Sequence, residues 1–547
     1  MTRQSPEIIE VNSQKIEELL DRAASNTFRD EDTELMRQFF ESYAGFFQMV
    51  GDKNTTIARL RKMMFGSTSE KSKDVLGDDK DPSSPPPGDD ATDGPTDSVE
   101  TDEEDSESPS GHGKHGADDY PGAEKVQVNH PTLAAGDDCP ACGQGTLYEK
   151  SPGVLVRFIG QAPLQATVYR MQKLRCHVCG KTFTAPAPEG VGDQKYDATA
   201  ASMIGLLKYG SGLPFNRLER LGWNLGIPLP ASTQWDVLQP LIRPAAIAFE
   251  QLIREAAQGE VLHNDDTTVK ILELMGKRAR EAKHGDQSPR TGMFTSGVVS
   301  LRESRRIALF FSGRQHAGEN LSDVLKARLD ELLPPIQMCD GLSRNLPKEL
   351  ETIVANCLVH ARRNFVEIYD RFPDECRTVI ETLKVVYRND AQARKRKLSP
   401  AQRLRHHRVK SEHTMNRLHR WLNSQLDDRH VEPNSALGVA INYMLKRWDT
   451  LTLFLREPGA PLDNNICERA LKKSILHRKN SLFYKTKHGA RVGDTFMSLI
   501  YTCELCNANP FEYLTALQHH ANQVTQAPQH WMPWNYADSI TAGEAAA

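Results

Sequence analysis

Val261-Leu262-His263-Asn264-Asp265-Asp266-Thr267 decides the fold of this chain. A short apolar run drives straight into paired carboxylates, the pattern of a buried strand that surfaces with acids at its end. The strand is expected to resume over 269–274. Residues 294–300 and 307–311 read as two further strands of an antiparallel meander, and 318–332 as a helix. Residues 334–339 form a strand that delivers Asp340 in Met338-Cys339-Asp340-Gly341. A helix from Pro347 and a strand over 353–358 complete the series. Much later, Leu462-Asp463-Asn464-Asn465-Ile466-Cys467-Glu468-Arg469 reads as a helix start, with Asp463 as its cap and Glu468 one turn in.

Three strands, a helix, a strand, a helix and a strand, with acids on the first and fourth strands, match a ribonuclease-H-like α/β core. Carboxylates this far apart in sequence make one divalent-metal site only if folding gathers them. Magnesium or manganese takes oxygen ligands, and two such ions about 4 Å apart activate an attacking hydroxyl and stabilise a leaving oxygen. Asp265, Asp340 and Glu468 are the expected ligands. Asp266 competes with Asp265; the preference for Asp265 rests on Asp266 pointing the other way, with Thr267 capping the bend. Arg469, Lys472, Lys473, Arg478 and Lys479 follow Glu468 at once. Acids for metal beside bases for phosphate indicate phosphoryl transfer on nucleic acid.

Composition sets the frame. At 547 residues the chain exceeds one core. Its formal charge of −4 hides a contrast: residues 77–119 hold 15 acids against two lysines, −13 in all, which leaves the remainder at +9. A basic body suits a polyanion partner. No apolar run reaches the roughly 18–20 residues of a membrane span, and the start has no signal core, so a cytoplasmic, nucleoid-associated protein is expected.

The multidomain α+β organisation follows from composition shifts. Residues 1–73 are helical, with Met36, Tyr43, Val50, Ile57 and Met64 in a heptad seam. The seam suggests a homodimer or higher oligomer, or else a helix packed on its own domain. Residues 74–120 are an acidic linker too poor in apolar side chains to fold. Residues 121–190 carry Cys139-Pro-Ala-Cys142 and Cys176-His-Val-Cys179, each followed by glycine. Two such knuckles around structural zinc make a ribbon, with strands over 154–159 and 167–174. Residues 191–258 are helical; 215–223, Gly226 and a helix from Ala231 outline a helix-turn-helix in which Asn216, Arg217, Arg220 and Gln234 would be polar contacts. The catalytic core occupies 259–370 and 461–520. A helical insertion fills 371–460, with helices over 376–389, 400–426 and 436–455, and its basic run from Arg394 to Lys410 would grip DNA backbone. Residues 521–547 form a tail.

The chain resembles the insertion sequence 66 family of bacterial DDE transposases. The resemblance rests on His263-Asn264-Asp265-Asp266-Thr267, on Cys357-Leu358-Val359-His360-Ala361-Arg362-Arg363-Asn364-Phe365 and on Asp463 to Leu471. Arg478-Lys479-Asn480-Ser481-Leu482-Phe483 and Asn507 to Leu514 extend it. It implies that Asp265, Asp340 and Glu468 are the metal-binding triad of an enzyme that cleaves element ends and joins them to target DNA. It also implies that His360, Arg362, Arg363, Arg478, Lys479 and Asn480 face DNA, and that accessory proteins of the same element take part. Asn264 stands where a small residue is common and His477 where glycine is common. A nuclease of the same core without strand transfer, and a non-catalytic zinc-containing DNA-binding regulator, remain open readings.

Overall fold

The computed structural model describes residues 131–546, apart from 139, 141–145, 149–161, 176, 178–180, 190–193, 277–289, 304 and 349. The heptad seam, the acidic linker and all four paired cysteines therefore lie outside the described residues. Beside the second cysteine pair, β1 (Lys173–Arg175) and β2 (Thr182–Thr184) form an antiparallel hairpin. The strand expected over 167–174 pairs only from Lys173 onward.

The body is a mixed α/β structure around a five-stranded sheet. Its strands are β3 (Val261–Thr268), β4 (Phe294–Arg302), β5 (Arg305–Gly313), β6 (Ile336–Cys339) and β7 (Ile353–Asn356), in the order β5-β4-β3-β6-β7. The first three form the antiparallel meander, and β3, β6 and β7 run parallel. This order is consistent with the core expected from sequence, with three local corrections, the first being that the helix expected over 318–332 ends at Leu325. Residues 269–274 do not continue the strand: after Thr268 the chain makes one bridge at Ile271 and a short 3₁₀ turn over Leu272–Leu274. No helix starts at Pro347; a single 3₁₀ turn, Ser343–Asn345, precedes β7.

Among the described residues the α-helices longer than six residues are, in chain order, α1 (Ala198–Gly205), α2 (Phe215–Asn224), α3 (Ala231–Ala257), α4 (Ala317–Leu325), α5 (Leu358–Val366), α6 (Pro373–Lys395), α7 (Pro400–Lys410), α8 (Glu412–Asp427), α9 (Ala436–Lys446), α10 (Asn465–Ser481), α11 (Lys487–Leu505), α12 (Pro510–His519) and α13 (Tyr536–Ala546). Of these, α3, α4, α10 and α11 pack on the sheet. Arg362–Lys384 falls in one compact unit; the described residues up to Ala361 and from Val385 fall in another. The core of the larger unit joins Leu238 and Leu252 of α3 to Val298, Leu309 and Phe310 of the sheet and Phe496 of α11. Trp531 and Met532, between α12 and α13, are buried in the same core.

Helix α11 also protects the sheet edge. The outward N–H groups of Ala308, Phe310 and Ser312 on β5 donate to Thr502 Oγ1 (3.1 Å), Ser498 Oγ (2.9 Å) and Asp494 Oδ2 (2.7 Å). Four helical residues rise roughly 6 Å and two strand residues roughly 6.8 Å, so the two series stay in step. An edge that would otherwise recruit another strand is thereby satisfied.

Helix α2 ends in a turn whose Gly226 has φ +71, a left-handed value that glycine adopts without strain, and α3 follows. Gln234 is no outward contact, however. It is fully buried and donates to Leu229 O and Phe215 O, joining the two helices.

In the insertion, the helix expected over 400–426 breaks after Lys410, and the one expected over 436–455 breaks after Lys446 and again after Leu451. Part of its basic run serves internal packing. Arg403, His407 and Arg394 converge on the buried Asp390 at 2.7, 3.1 and 3.2 Å. Burial would raise that carboxyl, but His407, Arg403 and Arg394 outweigh it and hold Asp390 below the usual range.

Candidate active site

Strand register brings the first two acids level. His263 on β3 pairs with Met338 on the parallel β6. Two residues on, the same face of each strand presents Asp265 and Asp340. Neighbouring strands lie about 4.8 Å apart, which is the reach of two carboxylates sharing one site.

A glycine admits the third acid. Asp265 pairs across β4 with Gly297, and α10 crosses above that glycine. A Cβ on Gly297 would stand 3.1 Å from Leu471 and 3.4 Å from Cys467 Sγ, whose thiol donates to Gly297 O. Glu468 is the next residue after Cys467, and its charge is felt at Asp265.

The carboxyl of Asp265 is pushed up to about 7, by burial first and then by the charge of Asp340, with Asp266 and Glu468 adding to it. The Asp266 N–H, 2.8 Å from Asp265 Oδ1, opposes that rise. Asp266 itself turns to the other side. Its oxygens meet His316 Nδ1 at 2.9 Å and Arg344 at 3.2 Å, and its side chain is 1% exposed. One carboxylate of the pair stands with the other acids, and the other is paired with a guanidinium and an imidazole.

Neutral amides fix the acids in place. Asn345 Nδ2 and the Leu342 N–H donate to Asp340 Oδ1. The Asn345 carbonyl accepts from Asn264 Nδ2 and Gln337 Nε2, both at 2.7 Å, and Gln337 Nε2 also reaches Asn264 Oδ1 at 2.9 Å. Asn464, just before α10, donates through Nδ2 to Asn264 O at 3.1 Å. That orients its Oδ1 toward His263 Nδ1, 3.0 Å away, so Nδ1 carries the proton. Burial pushes His263 down to about 4, which keeps this contact neutral. The framework thus ties the strand of Asp265, the loop of Asp340 and the helix of Glu468 to one another.

The insertion adds to the same place. Arg447, after α9, donates to Gly341 O at 3.0 Å and stacks 4.2 Å over the Tyr443 ring. Charges from both Arg447 and Asp340 act on the Tyr443 hydroxyl.

The basic residues expected to face DNA divide into two groups. Arg469, Lys472 and Lys479 are exposed on α10. Lys473 pairs with Glu504 at 2.9 Å, Arg478 donates to Thr267 Oγ1 (3.1 Å) and Thr268 Oγ1 (2.8 Å), and Asn480 accepts from Arg217 at 3.2 Å. Those three brace α10 against its neighbours. His360 lies 3.8 Å from Glu468. Arg362 and Arg363 fall in the smaller unit, Arg362 buried and Arg363 half-buried.

The donor set at the acids fits a hard divalent cation. Asp340 and Glu468 act electrostatically on Asp265, His360 stands 3.8 Å from Glu468, and Glu468 Oε1 is buried without a hydrogen-bond partner. A cavity of about 850 Å³ between α3, β5 and α11 is lined by Glu250, Phe311, Arg491 and Asp494, and by none of these acids.

The profile of the Transposase IS66 family matches residues 195–492, more than half of the chain. The chain belongs to this family. The matched span contains all three acids and the whole amide framework. Similar proteins in Sinorhizobium fredii (strain NBRC 101917 / NGR234) include the uncharacterized protein y4hP, 26% identical over 77% of this chain and 76% of that one. The uncharacterized protein y4jD is 27% identical over 68% and 72%, and the uncharacterized protein y4qI 26% identical over 61% of each. No solved structure matches the chain. Family membership supports a role in transposition, hence in handling DNA. Among the described residues no helix is long and apolar enough to cross a membrane.

Sequence reasoning singled out the acids and missed what holds them. Gln337, Asn345, Asn464, Tyr443 and Arg447 were not anticipated. The available signal was the amides written next to acids, in Asn264-Asp265-Asp266 and Asp463-Asn464-Asn465.

Proposed function

We propose that this chain is a DDE transposase with a ribonuclease-H-like core, which cleaves the ends of its insertion sequence and transfers them to target DNA. The observation that carries this reading is the shared acidic pocket: Asp265 feels the charges of both Asp340 and Glu468, although 75 and 203 positions separate them from it. Like charges brought together under partial burial cost free energy unless a counterion is the purpose.

Asp265, Asp340 and Glu468 would hold magnesium or manganese, which when bound supplies Lewis acidity at phosphate and an activated water or 3′-hydroxyl. The chain's own contribution is position. The amide framework holds Asp340 and ties the strand of Asp265 to the helix of Glu468 without neutralising the acids, and Arg469, Lys472 and Lys479 offer an exposed basic face beside them for the DNA backbone. His360, Arg362 and Arg363 belong to the same DNA-facing proposal. Structural zinc at Cys139, Cys142, Cys176 and Cys179, self-association through 1–73 and accessory proteins of the element complete the reading.

Asp340→Asn tests it. The variant keeps the size and hydrogen bonding of the side chain and removes its charge. Binding of element ends, measured by mobility shift, should persist, while metal-dependent nicking of the same DNA falls to background. Undiminished nicking by the variant would remove the basis of the proposal.

A further inference from the structure

Glu468 has two sets of neighbours, and only one of them is acidic. On its other side stand Cys357, at the junction of β7 and α5, and His360, one helical turn later on the same face. The candidate ligand atoms of Cys357, His360 and Glu468 all lie within 4.8 Å of one another. His360 Nε2 and Glu468 Oε1 are 3.8 Å apart, too far for a hydrogen bond and close to the spacing of two ligands on one ion.

Two further observations point to a ligand. Glu468 Oε1 is buried without a hydrogen-bond partner, a costly state that a bound ion explains. The sulfur of Cys357 accepts the Asn464 N–H at 3.3 Å, the kind of contact that supports a metal-bound thiolate. The sulfur is buried, whereas the side chains of His360 and Glu468 are 23% and 28% exposed, so an ion has an entry from their side.

Sulfur, imidazole nitrogen and a carboxylate are the wrong donors for magnesium and the right ones for zinc, with a fourth position left open. We infer that Cys357, His360 and Glu468 form a soft-metal site that takes zinc, and that zinc there draws Glu468 away from Asp265 and Asp340 and so arrests the magnesium-dependent reaction. Binding releases the Cys357 thiol proton to water; no redox change occurs. The inhibitory consequence rests on the function proposed above, but the binding itself does not.

The test uses the full chain with cobalt(II) as the spectroscopic stand-in for zinc. The four paired cysteines also give cobalt–thiolate absorption, so the readout is the difference between wild type and Cys357→Ser. Wild type should bind one more ion per chain, with additional thiolate-to-cobalt absorption, and Glu468→Gln should weaken that extra site by at least about 10-fold. Thermal unfolding checks each variant; if Cys357→Ser fails to fold, Cys357→Ala and Glu468→Gln carry the comparison. In the second arm, zinc is added to a nicking assay at saturating magnesium. Wild type should slow by at least about 10-fold, while Cys357→Ser, measured against its own zinc-free rate, loses far less.

Equal ion counts and equal spectra for wild type and the variants overturn the site. An extra ion that leaves nicking unaffected, in a protein whose Asp340→Asn form is dead, overturns the inhibition. If Asp340→Asn still nicks, the proposed function fails, and the cobalt difference continues to decide the site alone.

Discussion

Replacing Asp265 by asparagine should stabilise the protein at pH 8 in buffer without magnesium or manganese. The Asp265 carboxyl stands at about 7 against an ordinary 3.8, raised by burial and then by Asp340. The folded chain therefore holds that proton more tightly than the unfolded chain does. The stability this contributes is fully present below about pH 4 and is lost as pH rises through 7. Three units correspond to about 4 kcal/mol, an upper bound because Asp265 keeps some solvent contact and shares its titration with neighbours. Asparagine imitates the protonated acid, so Asp265→Asn escapes the loss. Across a unit of several hundred residues, at about 2 cal/mol/K per residue, the difference is roughly 5 °C in the unfolding midpoint. Thermal unfolding of both proteins between pH 5 and 8 checks it: the curves should diverge as pH rises and close again when magnesium is added. Asp266→Asn should do the opposite, since it removes a carboxylate paired with Arg344 and His316. A gap between Asp265→Asn and wild type that does not change with pH, or a gain that appears in Asp266→Asn instead, refutes the reasoning.

Gly297→Val should cut nicking by about 100-fold with little change in DNA binding, because branched carbons would push Leu471 and Cys467 outward and carry Glu468 off its place; kinetics of metal-dependent nicking measure it. Asn464→Ala leaves His263 Nδ1 and the Asn264 carbonyl without their partners, and should cost about 2–4 kcal/mol, read by denaturant unfolding. Asp390→Ala strands Arg403 and His407 in the insertion and should cost about 3 kcal/mol, seen as faster hydrogen exchange across α6 to α8 and not across the central sheet.

Much of this architecture is written in local pattern. The meander was legible because β5 carries the apolar run Ile307-Ala308-Leu309-Phe310-Phe311 and β4 the β-branched pair Val298-Val299, and the acids at 265 and 266 because the strand before them ends in carboxylates. The continuation over 269–274 misled because Val269-Lys270-Ile271 alternates as a strand would, yet Val269, Ile271 and Leu274 pack against Met293 and Tyr484 with little ladder around them. Alternation reports which side is buried and does not report whether a partner strand is in reach. The basic run of the insertion misled in a related way: charge density could not reveal that Asp390, four positions before Arg394, gathers Arg394, Arg403 and His407 inward. The edge protection by Asp494, Ser498 and Thr502 was invisible for a different reason. A spacing of four on a helix is common, and its meaning appears only beside a strand 182 positions or more away.

The two adjacent carboxylates show what distinguishes a working acid from a structural one. Asp266 is satisfied by a guanidinium and an imidazole, so its charge is spent within the fold. Asp265 and Asp340 receive only N–H donors from backbone and amide groups, which orient an oxygen and leave the net charge in place. A cation in the position of Asn345 or Asn464 would stabilise the empty fold more, and would compete with the metal proposed for these acids. The amide framework is therefore the arrangement expected where three negative charges must stay available, and the free energy it forgoes without metal is the same quantity that the Asp265→Asn measurement would recover.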